Sequence, residues 1–326
     1  MPSIADNRFV VAGGASLLGS HIGRQLLDAG AREVVLLDNL ALGSTGAIAD
    51  LLADSRCVFS RADITRLNEL LDPFEGAAGV FSVAGFLGAP MLANPWMGLD
   101  VNIRGLQNVL EASRVQGVGK VVFSSSMGVY GRIGAGGADE DAPFDWNGLA
   151  PGLILYSGSK VVGEGLCRLY EQQHGLPSAS LRYSNLYGEN QHKRALDGTR
   201  IVQAWERIRA GQPPVIEGDG RNVADFIYVG DVARANLMAM ASEATGGFNI
   251  VSGRDASFNE IVAALLAACG SDLQPEHVAP AAKIGNPVVT KLGVSREKAR
   301  RAFGWEPKVD LEEGMRRLVV WLDAQI

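Results

Sequence analysis

Tyr156 and Lys160 stand four residues apart in the stretch LYSGSK, a spacing that sets both side chains on one face of a helix. An ammonium group beside a phenol favours the phenolate and lowers its pKa from about 10. Such a tyrosine can take and return a proton near neutral pH. A surface pair on an amphipathic helix has the same spacing, so the pair gains meaning only from its surroundings. Upstream, VVFSSSMGVYG ends an apolar run on three hydroxyls. Ser126 there can hydrogen-bond a hydroxyl or carbonyl oxygen of a substrate, although a polar strand exit reads the same way.

The stretch VVAGGASLLGSH, residues 10–21, places Gly13, Ser16 and Gly19 where a turn that grips a dinucleotide carries three glycines. The first glycine allows the tight turn, the second lets the backbone approach a pyrophosphate, and the third lets helix and strand pack closely. The helix N-terminus beyond the turn favours phosphate charge. Ser16 replaces only the middle glycine, and its small hydroxyl has two uses open to it: donation to a phosphate oxygen or capping of the helix. Asp38 ends the next strand, where a carboxylate can accept from both hydroxyls of a ribose. Asn39 follows it, and no cation is placed for a 2′-phosphate, which predicts NAD rather than NADP. Dinucleotide turn, serines and Tyr-x-x-x-Lys together suit hydride transfer. Tyr156 removes a hydroxyl proton while the neighbouring carbon gives hydride to NAD, and Lys160 holds the nicotinamide ribose and biases the tyrosine.

These residues need a scaffold, and the apolar pattern supplies one. RFVVAG, EVVLLD, RCVFSRAD, AGVFSVAG, KVVFSSS and ASLRYS read as buried strands. Between them lie the helical patterns SHIGRQLLDAG, closed by Gly30, WMGLDVNIRGLQNVLEASRVQG, and Leu153 to His174. Apolar strands separated by amphipathic helices predict an α/β fold, a doubly wound parallel sheet of Rossmann type with a smaller C-terminal α/β substrate domain. The expected division is residues 1–184 for NAD, with 225–250 returning to that part, and 185–326 mainly for substrate. Helices near 200–210, 231–242, 257–269 and 310–323 and brief strands at FIYV and GGFNIV build the smaller part. It is expected to close over the carboxyl ends of the sheet. GENQHKRALDGTR reads as a solvated loop that brings His192, Lys193 and Arg194 near the expected pocket.

Composition excludes several classes. The chain has 326 residues, 47% hydrophobic and 20% charged, which suits a soluble globular protein. A net charge of -6 without a basic block argues against nucleic acid or an anionic membrane as partner. Cys57, Cys167 and Cys269 are odd in number and far apart, and the four histidines are scattered. Neither a disulfide framework nor a metal site is expected. No signal-peptide pattern and no apolar stretch of spanning length is read, so the expected location is cytoplasmic.

The ordered set of ADIT, SVAG, DVNIRGLQNVLEAS, FSSSMGVYG, YSGSK, LRYSNLYG, GDG…DFIYVGDVA and KARRAFGWEP is similar to the extended short-chain dehydrogenase/reductase family, in its NAD-dependent epimerase/dehydratase group. The resemblance covers nearly the whole chain. It implies Ser126, Tyr156 and Lys160 as the catalytic set. It implies Gly13, Ser16, Leu17, Leu18 and Gly19 at the phosphate turn, Asp38, Asn39 and Leu40 at the adenosine ribose, and Asp63 and Ile64 at the adenine. Val83, Ala84, Gly85, Asn102, Ser124 and Tyr183 match further cofactor positions, alongside Tyr156 and Lys160. Ser126 and Asn185 match substrate contacts, Asn185 at the diphosphate of a sugar nucleotide. The same resemblance implies a homodimer paired through MGLDVNIRGLQNVLEAS and LILYSGSKVVGEGLCRLYEQQ.

Dehydratases of the group carry an Asp-Glu pair after the catalytic hydroxyl, and decarboxylases a glutamate; here Met127 and Gly128 stand there and cannot transfer protons. What remains resembles a 4-epimerase of nucleotide sugars. Ala224 stands where such enzymes carry an arginine before Asp225-Phe226, with Arg221 three residues earlier. Lys283 replaces a common arginine and Gly293 a usual aspartate. A diphosphate favours bidentate cations. Three readings therefore stay open: a sugar-nucleotide epimerase; an NAD-dependent dehydrogenase, reductase or epimerase on a sugar, polyol or sugar acid without a nucleotide; and a non-catalytic NAD-sensing protein.

Overall fold

The computed structural model describes residues 3–134, 136–191, 196–279 and 292–326. Twelve described strands run in chain order. They are β1 (Arg8–Ala12), β2 (Glu33–Asp38), β3 (Cys57–Arg61), β4 (Gly79–Ser82), β5 (Val121–Ser126), β6 (Ser178–Tyr183), β7 (Asn185–Tyr187), β8 (Val215–Glu217), β9 (Val223–Tyr228), β10 (Gly246–Ile250), β11 (Asp255–Ser257) and β12 (Glu276–Val278). Seven form one sheet in the order β10-β6-β5-β4-β1-β2-β3. Every pairing in it is parallel.

The five inner strands, β6, β5, β4, β1 and β2, are buried on both faces, and their side chains divide with period two. Phe9, Val11, Val34, Leu36, Phe81 and Leu181 belong to one core, whereas Val10, Ala12, Val35, Leu37, Val80 and Phe123 belong to the other. The first core is covered by α1 (Leu17–Asp28) and, packed on it, α8 (Val229–Ala241). The second is covered by α5 (Leu106–Val115) and α6 (Pro151–His174). The remaining helices are α2 (Leu71–Phe74), α3 (Gly88–Ala93), α4 (Pro95–Leu99), α7 (Leu196–Arg209), α9 (Phe258–Cys269), α10 (Glu297–Phe303) and α11 (Leu311–Asp323).

Strand order reverses between β1 and β4, and in this register Ala12 lies beside Ser82. A crevice opens beyond the carboxyl ends at such a switch point, and both the glycine turn after Ala12 and the Val83–Gly85 loop leave from there. Smaller sheets lie apart from the large one, β11-β9-β7 and β12-β8. Of residues 225–250, α8 and β10 join the large sheet's layers, while β9 belongs to the three-stranded sheet.

One element departs from its sequence pattern. WMGLDVNIRGLQNVLEASRVQG is not a single helix: α4 ends at Leu99, Asp100–Gly105 forms a π-helical turn, and α5 begins at Leu106. The side-chain amide of Asn102 accepts from Phe86 N at 2.7 Å and donates to Phe86 O at 3.0 Å. Gly105 admits Ile64, whose Cδ1 would lie 2.5 Å from a Cβ there. Such local widening of a helix is a recurrent way to aim a side chain at a functional site.

Candidate active site

The turn at residues 13–19 is built by close contacts that exclude larger side chains. Gly13 has φ 90°, and a Cβ on it would lie 2.6 Å from the Ala84 amide nitrogen. A Cβ on Gly19 would lie 2.1 Å from Gly13 O. Ser16 resolves the choice left open above. It caps α1, accepting from Gly19 N at 3.1 Å while its hydroxyl donates to Gly13 O at 2.7 Å. Serine therefore locks the turn rather than reaching outward. Leu17 and Leu18 hold the first two helical positions, whose N–H groups have no intrahelical acceptor.

Asp38 is buried, and both its oxygens are engaged: Oδ2 accepts from Ala15 N at 3.1 Å and Oδ1 from Leu40 N at 2.8 Å. Each carboxylate oxygen accepts more than one donor, so a ribose can still be held. Leu40 takes φ 62°, bending the chain around this carboxylate. Asn39 donates to Asp63 Oδ2 at 3.1 Å. Burial alone would raise Asp63, but donors from Thr65 and Asn39 outweigh it and hold the carboxyl below its usual value. Gly13, Ser16, Asp38, Asn39, Asp63, Ile64, Val83, Ala84 and Gly85 all line one cleft. Ala41, Leu42, Gly43, Phe86 and Val101 line it too, although the sequence assigns none of them a role. They follow Leu40 and Gly85 directly or sit on the π turn, and only adjacency to the motifs could have flagged them.

The second group lies at the carboxyl end of β5. Lys160 is buried, donates to Ser124 O at 2.8 Å, and stands 5.9 Å from the Tyr156 ring centroid. A Cβ on Gly85 would lie 3.4 Å from Lys160 Nζ, so the ammonium faces the loop that lines the cleft. Ser126 Oγ accepts from Gly128 N at 3.0 Å and caps the short turn Met127–Tyr130. A Cβ on Gly128 would lie 3.5 Å from Tyr156 Cε1 and 3.0 Å from Ser157 Oγ. The titration differs from the sequence expectation. Burial pushes the Tyr156 phenol up, and only the Ser126 hydroxyl works the other way. Burial also pushes Lys160 down, to about 8. The physical reason is that desolvation penalises both charged forms, and the ammonium is engaged by a carbonyl rather than by the phenol.

Other expected positions act at one remove. Asn102 spends its amide on Phe86 and on Ser159 Oγ at 3.0 Å, and Ser159 in turn donates to Tyr156 O at 2.7 Å. It ties the Val83–Phe86 loop to α6. Tyr183 is buried, donating to Asn236 Oδ1 at 3.0 Å and accepting from Ser124 Oγ at 3.3 Å; it pins α8 to the sheet. Asn185 donates to Asp225 O at 3.2 Å, and Ala224 pairs with Ala256 across β9 and β11. Arg221 is exposed and lies 4.0 Å from Asp219. Gly293 has φ 59°, and its N–H faces Asp255 Oδ2 at 3.4 Å. His192, Lys193, Arg194 and Lys283 lie outside the described residues. Asp225 was not singled out by sequence. It is a buried carboxylate held by Ser184 Oγ, by Ser252 N at 2.9 Å, by Ser252 Oγ at 2.8 Å and by Gly253 N at 2.8 Å. Burial raises its pKa.

The arrangement fits a dinucleotide. Helix N-terminal N–H groups with no intrahelical acceptor would meet the pyrophosphate and a carboxylate the ribose, and a phenol with a cation stands at the far side of the switch point. Among the described residues no helix is long and apolar enough to cross a membrane, and no His/Cys/Asp/Glu group is placed to hold a metal.

Comparison with known proteins agrees with this geometry. Residues 9–251 match the model of the NAD dependent epimerase/dehydratase family. The UDP-glucose 4-epimerase of Mycolicibacterium smegmatis is 32% identical over 318 residues, 96% of this chain and 97% of the relative. The crystal structure of UDP-glucose 4-epimerase from Thermotoga maritima with UDP-glucose superposes with a TM-score of 0.86 at 30% identity, covering 98% of this chain and 99% of the other. That of Thermus thermophilus UDP-glucose 4-epimerase in complex with NAD gives 0.83 at 31% identity, covering 98% and 100%. A crevice at the β1/β4 switch point, a phenol and ammonium beside it, and these matches along almost the full length lead to one conclusion: this chain is an enzyme of the NAD-dependent epimerase/dehydratase family.

Proposed function

We propose that the protein is an NAD-dependent 4-epimerase of a UDP-hexose. The observation that carries this reading is the lack of an ionisable group after Ser126. A dehydratase needs one just after the catalytic hydroxyl, and here Met127 and Gly128 follow Ser126, where even a Cβ on Gly128 would lie 3.0 Å from Ser157 Oγ. Among the described residues this leaves proton transfer to Tyr156. NAD, when bound, supplies the acceptor and donor of hydride. Tyr156 takes the proton of the C4 hydroxyl as the ketone forms and returns it when the carbon is reduced from the other face. Ser126 donates a hydrogen bond to the same oxygen. Burial keeps the phenol protonated, so its ionisation depends on positive charge nearby, and Lys160 is the cation positioned to provide it. Leu17 and Leu18 N–H groups would hold the pyrophosphate, Asp38 the adenosine ribose, and Asp63 and Ile64 the adenine. On this reading residues 1–184 with 225–250 serve the cofactor, and 185–326 mainly the sugar nucleotide.

Incubating the NAD-loaded protein with UDP-glucose or UDP-galactose should interconvert them without net NADH. Net NADH, a dehydrated keto-sugar, or inactivity across UDP-hexoses would reject the reading. A second reading, a dehydrogenase or reductase acting on a substrate without a nucleotide, is favoured by Ala224 on β9, which offers no cation, and by exposed Arg221 just before it, which lies by Asp219. Stoichiometric NADH formed from a free sugar or sugar acid selects it.

The protein is further proposed to be a homodimer. Leu155, Val162 and Leu169 recur every seven residues along α6 as an exposed apolar stripe, and Trp96 on α4 is 82% exposed. A second copy presenting the same stripe covers it. A monomer by light scattering rejects this arrangement.

A further inference from the structure

The three serines that end β5 do three different things. Ser124 lends its carbonyl to Lys160, and Ser126 lies against Tyr156. Ser125 donates from Oγ to Glu164 Oε1 at 2.6 Å. Glu164 stands on α6 one turn beyond Lys160. Arg182 on β6 clamps it in two bonds, Nε to Oε1 at 2.9 Å and Nη2 to Oε2 at 2.7 Å. Ser125 and Arg182 are partners in the β5–β6 register, so one rung of the sheet fixes the carboxylate. Arg182 is anchored in turn: Nη1 donates to Tyr130 Oη at 2.7 Å and to Glu140 O at 3.2 Å, and Tyr130 donates to Asn249 Oδ1 at 2.7 Å.

Resting on the proposed reaction, we propose that Glu164 is a positioning residue for it: clamped by Arg182 and Ser125, it is the fixed negative charge that keeps Lys160 protonated and seated on the Ser124 carbonyl. Residues four apart on a helix are neighbours, yet both Glu164 oxygens are already bonded elsewhere, so the carboxylate acts on Lys160 across space rather than by contact. Among the described residues, no other group around Lys160 supplies this charge. On α6 itself Tyr156 is neutral. The elements packed on α6 bring few charges among the described residues. The π turn carries Asp100 and Arg104, which pair with each other at 2.9 Å. On α5, Glu111 pairs with Arg114 at 2.7 Å. β6 brings Arg182 and the neutral Tyr183, and the turn after β5 brings neutral Tyr130; α3, α4, β5 and β10 bring no charged side chain. Burial pulls Lys160 down to about 8, and Glu164 is the group that opposes it. Stability alone is a weak reason for this pair, since buried ion pairs are often replaced by apolar residues without loss.

The test reads the charge of Lys160 directly in the NAD-loaded protein, by titrating Nζ-labelled lysine in NMR, with the resonance assigned by its loss in Lys160→Met. Glu164→Gln should lower the Lys160 midpoint by about one pH unit, and Glu164→Asp should return most of it. Because Glu164→Gln strands the Arg182 guanidinium, the double variant Glu164→Gln/Arg182→Met is measured beside it, with a smaller downward shift expected. Where wild type turns over UDP-hexose, the alkaline limb of kcat should move with the midpoint. A Lys160 midpoint unchanged in whichever of the two variants folds overturns the proposal. Wild-type inactivity toward UDP-hexoses instead overturns the reaction and leaves the titration to decide on Glu164.

Discussion

Strand β5 has a buried lysine at each end, and the two differ in what their donors find. At the amino end Lys120 gives its ammonium to three carbonyls, Ala239 at 2.7 Å, Ser242 at 2.7 Å and Ala244 at 2.8 Å, closing the C-terminus of α8. At the carboxyl end Lys160 gives one hydrogen bond among the described residues, to Ser124 O, and lies beside the loop that lines the cleft. Burial pushes both down to about 8. A shifted titration therefore does not by itself mark a catalytic group. An ammonium with three donors that meets three carbonyls is a structural plug; one that meets a single carbonyl among the described residues, beside an open crevice, is placed for a ligand.

The sharpest way to break this contrast begins at the reacting end. On the proposed reaction Tyr156→Phe removes the proton carrier, and it should cut kcat by about 10³-fold with unfolding unchanged, as measured by coupled epimerase assay and thermal melting. Lys160→Met should cost about 10²-fold in kcat. It should leave the melting temperature level or raised, because a desolvated charge is gone. Lys120→Met should do the reverse: turnover per folded molecule stays within about twofold, and the unfolding free energy falls by about 3 kcal/mol as carbonyls are left unpaired. A well-folded Lys120→Met protein that lost catalysis would erase the distinction.

A pH series sharpens it with opposite signs. Both lysines fall from 10.5 to about 8 on folding, so above pH 8 the unfolded chain binds more protons and stability rises. Above pH 9 the buried thiols oppose this, since Cys57 is raised from 9.0 to about 11 and Cys167 to about 12. Denaturation midpoints should therefore climb between pH 8 and 9, and the climb should shrink in Lys120→Met. Activity should fall over the same interval as Lys160 loses its proton. The smallest effect belongs to the glycine turn. Ser16→Ala should cost about 1 kcal/mol of stability through the lost cap, and Ser16→Gly only a few tenths. NAD affinity, read by calorimetry, should stay within threefold of wild type in Ser16→Gly.

How far the site could be read from the chain follows the distance between partners. Gly13, Ser16, Gly19 and Asp38 were legible because a strand, a turn, a helix and the next strand are consecutive, and their geometry is local. Tyr156 and Lys160 were legible because helical periodicity places them together. Asn102 was named, but its task was not legible: its partners are 16 and 57 residues away, and the helix had to widen into a π turn to aim it. Tyr183 meets Asn236 53 residues on, and Asp225 takes donors from Ser184 and Ser252 on two other segments. No period or spacing records such pairings.

Sequence by itself determined the parallel sheet, the tight turn between β1 and α1 with the acid that ends β2, and the pairing of Tyr156 with Lys160 on one helix face, because periodicity and backbone sterics act over a few neighbouring residues. Only the tertiary structure decided what the Ser16 hydroxyl is spent on, which buried lysine faces the crevice, and that burial raises the Tyr156 phenol. Those outcomes depend on desolvation and on hydrogen-bond partners that folding brings together from distant parts of the chain.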